Sequence, residues 1–475
     1  MRGKSTSPGS QRAKYVVTDF VATSLAFLLF NIYRYYFVKS AMVVDNLGEF
    51  LAMPKILAEQ LFVPVALMAV YAISGYYNQP LVKSRLSEFT VTFYSVLLNS
   101  GLIYLLMLIN DSSGMRRKDY LTILVLFGLM FTLVYIGRSI ITSATIRKLR
   151  RGDWKYTTLI VGHSEVAVRV CRRLQQSGSV WGYNVAGYVE IPREKFCDDD
   201  SLPSWAPKDI TQVCSAHNID QIVLALERRS DETVMHLLKQ LFPLGIPVKV
   251  APDTLSYVTN AIQLEDILGV PLVDLTRPRM GECQKNIKRT FDVFASSLCL
   301  LILSPLMAWL SLMVKLGSKG PVIYSQTRIG KNQKPFNIYK FRSMRTDAEA
   351  CGPSLSSRHD PRVTKFGRFM RKYRLDELPQ FWNVVRGDMS LVGPRPEREH
   401  YILQIMEKAP YYGLIFQVRP GITSWGMVKY GYASNVQQMV ERSRFDLIYL
   451  NNMSIQTDIK IMIYTIRTIF GGKGM

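Results

Sequence analysis

The sequence has few of the residues that metal centres and disulfide frameworks require. Its six cysteines are scattered between residues 171 and 351 without a Cys-x-x-Cys pair, and its five histidines show no metal-ligand spacing. These patterns argue against a zinc site and against a disulfide framework. They are typical of a protein whose cysteines face a reducing compartment.

Acidic residues are also scarce. The chain has 37 Asp and Glu against 59 Lys and Arg, which gives a formal net charge of +22. Such an excess predicts an acidic partner, which could be nucleic acid, anionic lipid or a phosphorylated substrate. Since the sequence contains no RRM, KH, zinc-finger or basic-zipper pattern, we expect no nucleic acid partner.

Charge is sparse in four long apolar runs of the N-terminal third. Each run is close to the ~20 residues needed to cross a bilayer, and buried helices of a large soluble core are the alternative. Basic residues before the first run and after the fourth place both ends in the cytoplasm. We therefore predict a four-helix transmembrane domain over residues 1–150. The runs are 16–38, 56–77, 89–109 and 121–141.

Strand and helix patterns alternate in residues 151–282, which predicts a Rossmann-like α/β domain with a parallel sheet. The first strand leads into a turn that invites a dinucleotide interpretation. A dinucleotide fingerprint needs small residues at three positions, and here Gly162 is followed by Ser164 and Ala167 rather than by two more glycines. We therefore expect no NAD binding and interpret this domain as a structural or regulatory module.

A third domain is predicted over residues 283–475, and it opens with an uncharged stretch between Asp292 and Lys315. By length alone this stretch is a fifth crossing. Pro305 at its middle removes a helix hydrogen bond, and the freed carbonyl group needs a partner that Ser304 can help to supply. A straight crossing would export the strongly basic segment beyond it. We therefore predict a re-entrant membrane helix hairpin bent at Ser304 and Pro305.

Basic residues are concentrated in two segments of the third domain. The second of two predicted strands in 320–349 carries Lys340, Arg342 and Arg345. Seven more cations lie between residues 358 and 374, against one acid. A solvated basic face would explain either segment alone. Together they predict a site for several phosphates, because arginine binds phosphate oxygens through a planar two-pronged contact.

Two adjacent carboxylates, Asp376 and Glu377, follow the basic segment, and Pro379 gives a helix-start signal just after them. For an isolated pair, a helix cap stabilised by the dipole is the simpler interpretation. Beside so many phosphate-binding cations, the two acids instead supply hard oxygen ligands for Mg²⁺, and an ionised aspartate can attack phosphorus directly. No general base is required, because a carboxylate is already deprotonated at neutral pH.

The third domain resembles the monotopic polyprenyl-phosphate phosphoglycosyl transferases of bacterial surface-polysaccharide assembly. Four crossings followed by a Rossmann-like module resemble the large members of that family, which transfer hexose 1-phosphates such as those of glucose or galactose. The matching strings are KRTFD, Ser304-Pro305, YKFRSM, LDELPQFWNVVRGDMSLVGPRPE and RPGIT.

The resemblance implies roles for the matching residues. Asp376 would attack the β-phosphorus of a UDP-sugar and release UMP, and Glu377 would help to hold Mg²⁺ and the pyrophosphate. Undecaprenyl phosphate would then take the sugar phosphate from Asp376. The implied substrate-binding residues are Lys340, Arg342, Arg371, Pro394, Arg395 and Pro396, and those implied at the membrane or the lipid phosphate are Lys288, Arg289, Ser304 and Pro305.

The same resemblance implies a setting and leaves the sugar open. The protein would lie in the bacterial inner membrane among its lipids, as a multi-pass protein with its catalytic domain facing the cytoplasm, and a homodimer is compatible with this picture. Many relatives carry Gly-Arg after the Gly-Ile-Thr-x-Trp segment, whereas this chain has Gly431 followed by Tyr432. This departure leaves the identity of the sugar undecided, though not the reaction.

Three further alternatives stay open. The C-terminal segment 457–474 predicts an interfacial helix, with a packed terminal helix as the alternative. A nucleotide-sensing scaffold is a second function class, and it predicts that Asp376 is dispensable. An oxidoreductase or epimerase built on residues 155–280 is a third class, but it needs a glycine-rich turn and a Tyr-x-x-x-Lys pair that this segment lacks.

Overall fold

The chain divides into two compact units. The first comprises Met1–Lys155, Gly178–Gly182 and Gly281–Ile287, and the second comprises Tyr156–Ser177, Tyr183–Met280 and Lys288–Met475. Parts of three predicted features lie outside the described residues: the basic residues Arg2 and Lys4 before the first apolar run, Arg358 of the basic segment, and residues 471–474 of the C-terminal segment. The computed structural model describes residues 8–38, 46–78, 85–110, 117–151, 155–181, 183–191, 202–226, 233, 237–238, 240–251, 273–274, 280–345, 348 and 360–470.

Long helices form the first unit. Three helical stretches are long and apolar enough to cross a membrane, Gly9–Phe37, Pro54–Ile73 and Leu121–Lys148, and they identify a membrane protein. The third predicted run lies in a helix that is not among the spans found in the described residues, so three of the four predicted crossings meet this test. The helices are α1 (Pro8–Tyr33, continued by a π-helical turn at Arg34–Val38), α2 (Leu47–Ala52), α3 (Pro54–Ile73), α4 (Arg85–Asn110) and α5 (Arg117–Arg150).

A buried polar cluster lies inside this helical bundle. Arg138 of α5 and Asp19 of α1 are both fully buried and form an ion pair. The Arg138 guanidinium also donates to Thr92 of α4 and stacks on the ring of Tyr76, with Cζ 3.6 Å from the ring centroid. Tyr77 donates its hydroxyl to Asp19 over 2.7 Å. Such a network satisfies charges that would be costly to leave unpaired away from water.

A six-stranded sheet forms the first half of the second unit, in the order β3-β2-β1-β4-β5-β6. All neighbours pair in parallel except β5 and β6. The predicted alternation of strands and helices is confirmed, because apolar residues of β1 and β4 are buried on both faces as a parallel sheet requires. The elements are β1 (Tyr156–Val161), α6 (Glu165–Trp181), β2 (Tyr183–Val189), β3 (Ser204–Trp205), α7 (Ile210–Ala216), β4 (Gln221–Leu224), β5 (Val248–Val250) and β6 (Val273–Asp274).

A bent helix pair follows the sheet. Helices α8 (Glu282–Ile302) and α9 (Ser304–Gly317) meet at Leu303 with a bend of 62°. The break has the predicted cause. Pro305 has no N–H to donate to the carbonyl oxygen of Leu301, and the hydroxyl of Ser304 donates to that oxygen over 2.8 Å.

The remainder of the second unit is a compact α/β region. The antiparallel strands β7 (Ile323–Ile329) and β8 (Pro335–Phe341) confirm the predicted strand pair. A second, parallel pair joins β9 (Ser390–Val392) to β10 (Gly421–Thr423). The other elements are α10 (Lys365–Lys372), α11 (Gln380–Arg386), α12 (Glu399–Lys408), α13 (Trp425–Lys429), α14 (Val436–Asn451) and α15 (Ile455–Phe470), with 3₁₀ turns at Leu375–Glu377 and Pro410–Gln417.

The C-terminal helix α15 has two apolar faces. Ile461 is fully buried in the core of this region, which fits the packed alternative. Ile463 and Ile466 are 61% and 54% exposed, which leaves a second face available for the predicted interfacial position.

Candidate active site

The acid pair lies in a tight turn between two helices. Asp376 and Glu377 belong to the 3₁₀ turn Leu375–Glu377, which connects α10 to α11. The turn begins at Arg374, whose φ of 55° is a left-handed conformation that is uncommon for a residue other than glycine. Both acids are largely buried, with 8% and 6% of their surface exposed. The predicted helix start is confirmed, because α11 begins at Gln380 directly after Pro379.

Three cations surround the carboxylate of Glu377. Lys340 of β8 approaches Oε1 over 3.2 Å, and Arg374 approaches Oε2 through Nη2 over 3.0 Å. Arg395 reaches Oε1 from the Gly-Pro-Arg-Pro segment over 3.7 Å. Burial by itself would raise the pKa of Glu377, but Arg374, Lys340 and Arg395 outweigh burial and hold that pKa well below its usual range. Glu377 is therefore ionised and fixed in position.

Asp376 is in the opposite situation. Within the described ranges, no side chain makes a hydrogen bond or an ion pair with its carboxylate. Burial and the neighbouring charge of Glu377 raise the pKa of Asp376, and Lys340, Arg371 and Arg374 oppose that rise. Lys340 and Arg374 contact the carboxylate of Glu377 directly and act on Asp376 through their charge. Adjacent carboxyl groups with pKa values pushed apart are typical of a pair with divided chemical roles.

The other predicted phosphate-binding arginines occupy different places. Arg371 donates from Nε to Ser343 Oγ over 2.9 Å and lies close enough to lower the pKa of Asp376. Arg342 is buried, and its Nη2 donates to Ser318 O over 2.6 Å at the end of α9. Its Nε and Nη1 have no partner among the described residues. Arg342 therefore caps the second helix of the bent pair, which is a structural task that the basic pattern did not predict.

The Gly-Pro-Arg-Pro corner is held by its backbone. Gly421 N donates to Pro394 O over 2.9 Å, and Arg328 donates to Pro396 O over 3.2 Å. A Cβ atom on Gly421 would lie only 2.2 Å from Gly393 N, so the close approach of the two strands requires glycine there. The corner borders a shallow cleft lined by Ile329, Gly330, Pro394, Arg395, Pro396, Ile415, Phe416, Val418 and Pro420.

Two buried acids that no sequence pattern predicted support this corner. Glu397 accepts from Arg442 of α14 over 2.6 Å and from Arg328 of β7 over 3.3 Å. Asp446, one turn after Arg442, accepts from Gly426 N over 2.9 Å. Burial raises the pKa of Asp446 to about 6, against the backbone N–H groups of Gly426 and Arg395 that lower it. The only sequence signal for this network was a pair of opposite charges at helical spacing.

Lys288 and Arg289 are anchored inside the second unit. Lys288 Nζ contacts Asp458 over 2.7 Å and donates to Val392 O over 3.0 Å. Arg289 donates to the carbonyl oxygens of Val384 and Val385 at the end of α11, over 2.8 and 3.2 Å. The two cations predicted at the membrane surface thus tie the base of the bent pair to the region that carries Asp376.

The acid pair offers a donor set that fits Mg²⁺. Magnesium binds hard oxygen atoms and commonly uses only one or two carboxylates together with substrate phosphates. No cluster of three or more candidate metal ligands is found in the part of the chain that the structure describes. Asp376 and Glu377 supply two carboxylates of this kind, so the pair fits an ion that takes its other ligands from elsewhere.

Comparison with known proteins matches the sequence of this region to a family. A model described as "Bacterial sugar transferase" matches residues 283–472, which contain every residue of the candidate site. A relative from Rhizobium leguminosarum bv. phaseoli, "Exopolysaccharide production protein PSS", is 39% identical over 40% of this chain and 98% of its own length. The chain belongs to the polyprenyl-phosphate phosphoglycosyl transferase family.

Two further relatives are named for the transfer of different sugars. The "UDP-glucose:undecaprenyl-phosphate glucose-1-phosphate transferase" of Escherichia coli (strain K12) is 35% identical over 60% of this chain and 61% of its own length. The "UDP-N-acetylgalactosamine-undecaprenyl-phosphate N-acetylgalactosaminephosphotransferase" of Aeromonas hydrophila is 43% identical over 40% of this chain and 44% of its own length. The matches thus span about half of each of these two relatives. A second model, described as "CoA-binding domain", matches residues 72–252.

Proposed function

We propose that this phosphoglycosyl transferase moves a sugar 1-phosphate from a UDP-sugar to undecaprenyl phosphate and releases UMP. The sugar is a hexose such as glucose or galactose, and the reaction initiates the assembly of an exopolysaccharide, capsule or O-antigen. One observation carries the proposal. Glu377 is held by three cations, while the carboxylate of Asp376 beside it has no hydrogen-bond or ion-pair partner in the described ranges.

The reaction proceeds in two displacements at one phosphorus atom. A carboxylate oxygen of Asp376 attacks the β-phosphorus of the UDP-sugar, and the bond from that phosphorus to the bridging oxygen breaks. UMP leaves with the electron pair, and the sugar phosphate is bound to Asp376. An oxygen of undecaprenyl phosphate then attacks the same phosphorus, which restores the free carboxylate. The lipid phosphate is largely ionised at neutral pH, so no general base is needed.

The surrounding residues orient and neutralise the substrates. Lys340, Arg371 and Arg395 hold the pyrophosphate, together with Arg374, and Pro394 and Pro396 fix the corner from which Arg395 extends. Glu377 keeps these cations in place and, with Asp376, would hold Mg²⁺. When bound, the ion neutralises charge on the pyrophosphate. Arg342, whose Nε and Nη1 are unused within the described ranges, adds a further phosphate donor.

The proposed architecture has three domains with the predicted bounds 1–150, 151–282 and 283–475. Four transmembrane helices precede a Rossmann-like domain, and the bent pair of α8 and α9 is a re-entrant hairpin. The catalytic domain then faces the cytoplasm at the inner membrane, where Lys288, Arg289, Ser304 and Pro305 lie at or near the lipid. The 62° bend and the hydrogen bond from Ser304 to Leu301 support the hairpin.

A second candidate is a nucleotide-sensing scaffold within a polysaccharide assembly complex. The match of residues 72–252 to a CoA-binding domain model favours it, because coenzyme A contains a nucleotide. In that role the sheet domain binds the ligand and Asp376 is dispensable.

To test this proposal, radiolabelled UDP-sugars are added one at a time to membranes that contain the protein and undecaprenyl phosphate. We expect one sugar to give both UMP and a labelled lipid, and Asp376→Asn to abolish both. Asp388→Asn is the matched control, because among the described residues the Asp388 side chain makes one long ion pair, with Arg386 at 3.6 Å, and is partly exposed. Full activity of Asp376→Asn would refute the role of Asp376 as the nucleophile. If no sugar gives UMP or labelled lipid with the unaltered protein, the enzyme is refuted and the scaffold is favoured.

A further inference from the structure

Tyr432 lies against the arginine of the candidate site. It belongs to the loop between α13 and α14, and its ring centroid is 5.5 Å from Cζ of Arg395. Arg395 in turn reaches Glu377 over 3.7 Å. Tyr432 remains 41% exposed, so part of the ring faces outward. An aromatic surface is thus presented one side chain away from the acid pair.

The loop around Tyr432 is held at several points. Gly431 adopts a φ of 90°, which favours glycine and sets the turn before Tyr432. On one side Tyr430 donates its hydroxyl to Glu441 over 2.8 Å, and on the other Ala433 is buried. Asn435 then caps α14 through Gln438 N, over 2.8 Å. Fixed side chains of this kind are suited to discriminate between ligands, since little freedom is lost on binding.

We propose that Tyr432 contacts the sugar of the nucleotide-sugar donor and determines which sugar is accepted. The inference rests on the proposed function, which places the pyrophosphate between Asp376 and the cations. The sugar is attached to the phosphate that Asp376 attacks, so it lies beside the groups that flank Arg395. An aromatic face packs against the C–H face of a hexose ring, and the phenol hydroxyl can hydrogen-bond a sugar hydroxyl.

The experiment measures kcat/KM for UDP-glucose, UDP-galactose and their N-acetylated analogues with the full-length protein. In Tyr432→Ala we expect the ratio of kcat/KM between the best and second-best donors to change at least tenfold, as the loss of a pocket contact predicts. Inhibition by UMP, which lacks the sugar, should change less than twofold. Tyr432→Phe retains the ring and should keep most of the selectivity. Tyr94→Ala, at an exposed tyrosine of α4, is the matched control and should leave the ratio unchanged.

Two results would overturn the inference. If Tyr432→Ala lowers kcat/KM by the same factor for every donor, Tyr432 only supports Arg395 and does not discriminate between sugars. If Tyr432→Phe is as unselective as Tyr432→Ala, packing of the ring on the sugar is refuted. Failure of the proposed function looks different, because the unaltered protein would then transfer none of the four sugars.

Discussion

Arg138 and Asp19 form a two-pronged ion pair between α5 and α1, with Nη2 to Oδ2 at 2.6 Å and Nε to Oδ1 at 2.9 Å. Both side chains are fully buried, so removing one of them leaves an uncompensated charge. We expect Asp19→Leu or Arg138→Met to destabilise the bundle by roughly 3–5 kcal/mol. Thermal unfolding in detergent measures this effect.

The double variant Asp19→Leu/Arg138→Met tests whether the two charges stabilise the bundle as a pair. It leaves neither charge unpaired, so it should recover much of the stability that each single variant loses. A double variant whose loss equals the sum of the two single losses would show that the two charges do not act together.

The bent pair of α8 and α9 predicts a defined topology. Cysteines placed at 285 and 330 in a protein without its native cysteines should both be labelled from the cytoplasmic side. Pro305→Leu restores an N–H for the carbonyl of Leu301, so it should favour a straight crossing and misplace the region beyond it. Ser311→Ala, which removes another serine-to-carbonyl bond in α9, is the control and should keep the topology. Labels on opposite membrane faces in the unaltered protein would rule out the hairpin.

The buried carboxyl group of Asp446 should make the stability of the folded protein depend on pH. Its pKa in the folded protein is raised from 3.8 to about 6, so the fold favours the neutral acid. This contribution is fully present below about pH 4 and is lost as the pH rises through about 6. Its total is about 3 kcal/mol, at about 1.4 kcal/mol for each pH unit of the shift.

The test of this dependence compares Asp446→Asn with the unaltered protein at several pH values. Because asparagine stays neutral, the variant should gain stability relative to the unaltered protein between pH 4 and pH 8. A stability difference between Asp446→Asn and the unaltered protein that is constant over this range would contradict the assigned burial of the charge.

Metal dependence follows from the acid pair. We expect EDTA to stop UMP release and Mg²⁺ to restore it, because the pyrophosphate carries charge that the protein cations neutralise only in part. Glu377→Gln removes the acid that holds Lys340, Arg374 and Arg395 in place. It should therefore slow the first displacement and require more Mg²⁺ for half-maximal rate. Undiminished UMP release in EDTA would exclude the metal.

Local patterns in the sequence predicted the elements and the acid pair. The strands β1, β2, β7 and β8 follow from short apolar runs, and the break at Pro305 follows from the chemistry of one residue. The partners of individual charges did not follow from such patterns. Arg342 caps a helix that ends 25 residues earlier, and Glu397 pairs with a residue 45 positions away. Only the folded chain brings these groups together.

The same limit applies to the two acids of the site. Their adjacency, and the cations around them, could be read from the sequence. The three-dimensional arrangement then decides which acid takes the cations, because Lys340 and Arg395 converge on Glu377 from different segments. Asp376 is left without a hydrogen-bond or ion-pair partner among the residues that the structure describes, and no pattern in the neighbouring residues distinguishes the two roles.

The central claim is the covalent attachment of the sugar phosphate to Asp376. The most direct measurement incubates the protein with a labelled UDP-sugar in the absence of lipid and analyses the tryptic peptide LDELPQFWNVVR at 375–386 by mass spectrometry. We predict a mass increment of one sugar phosphate on Asp376, one UMP released per protein, and ping-pong kinetics when undecaprenyl phosphate is added. UMP that appears only with the lipid present, together with intersecting steady-state lines, would instead show direct transfer and reduce Asp376 to a metal ligand.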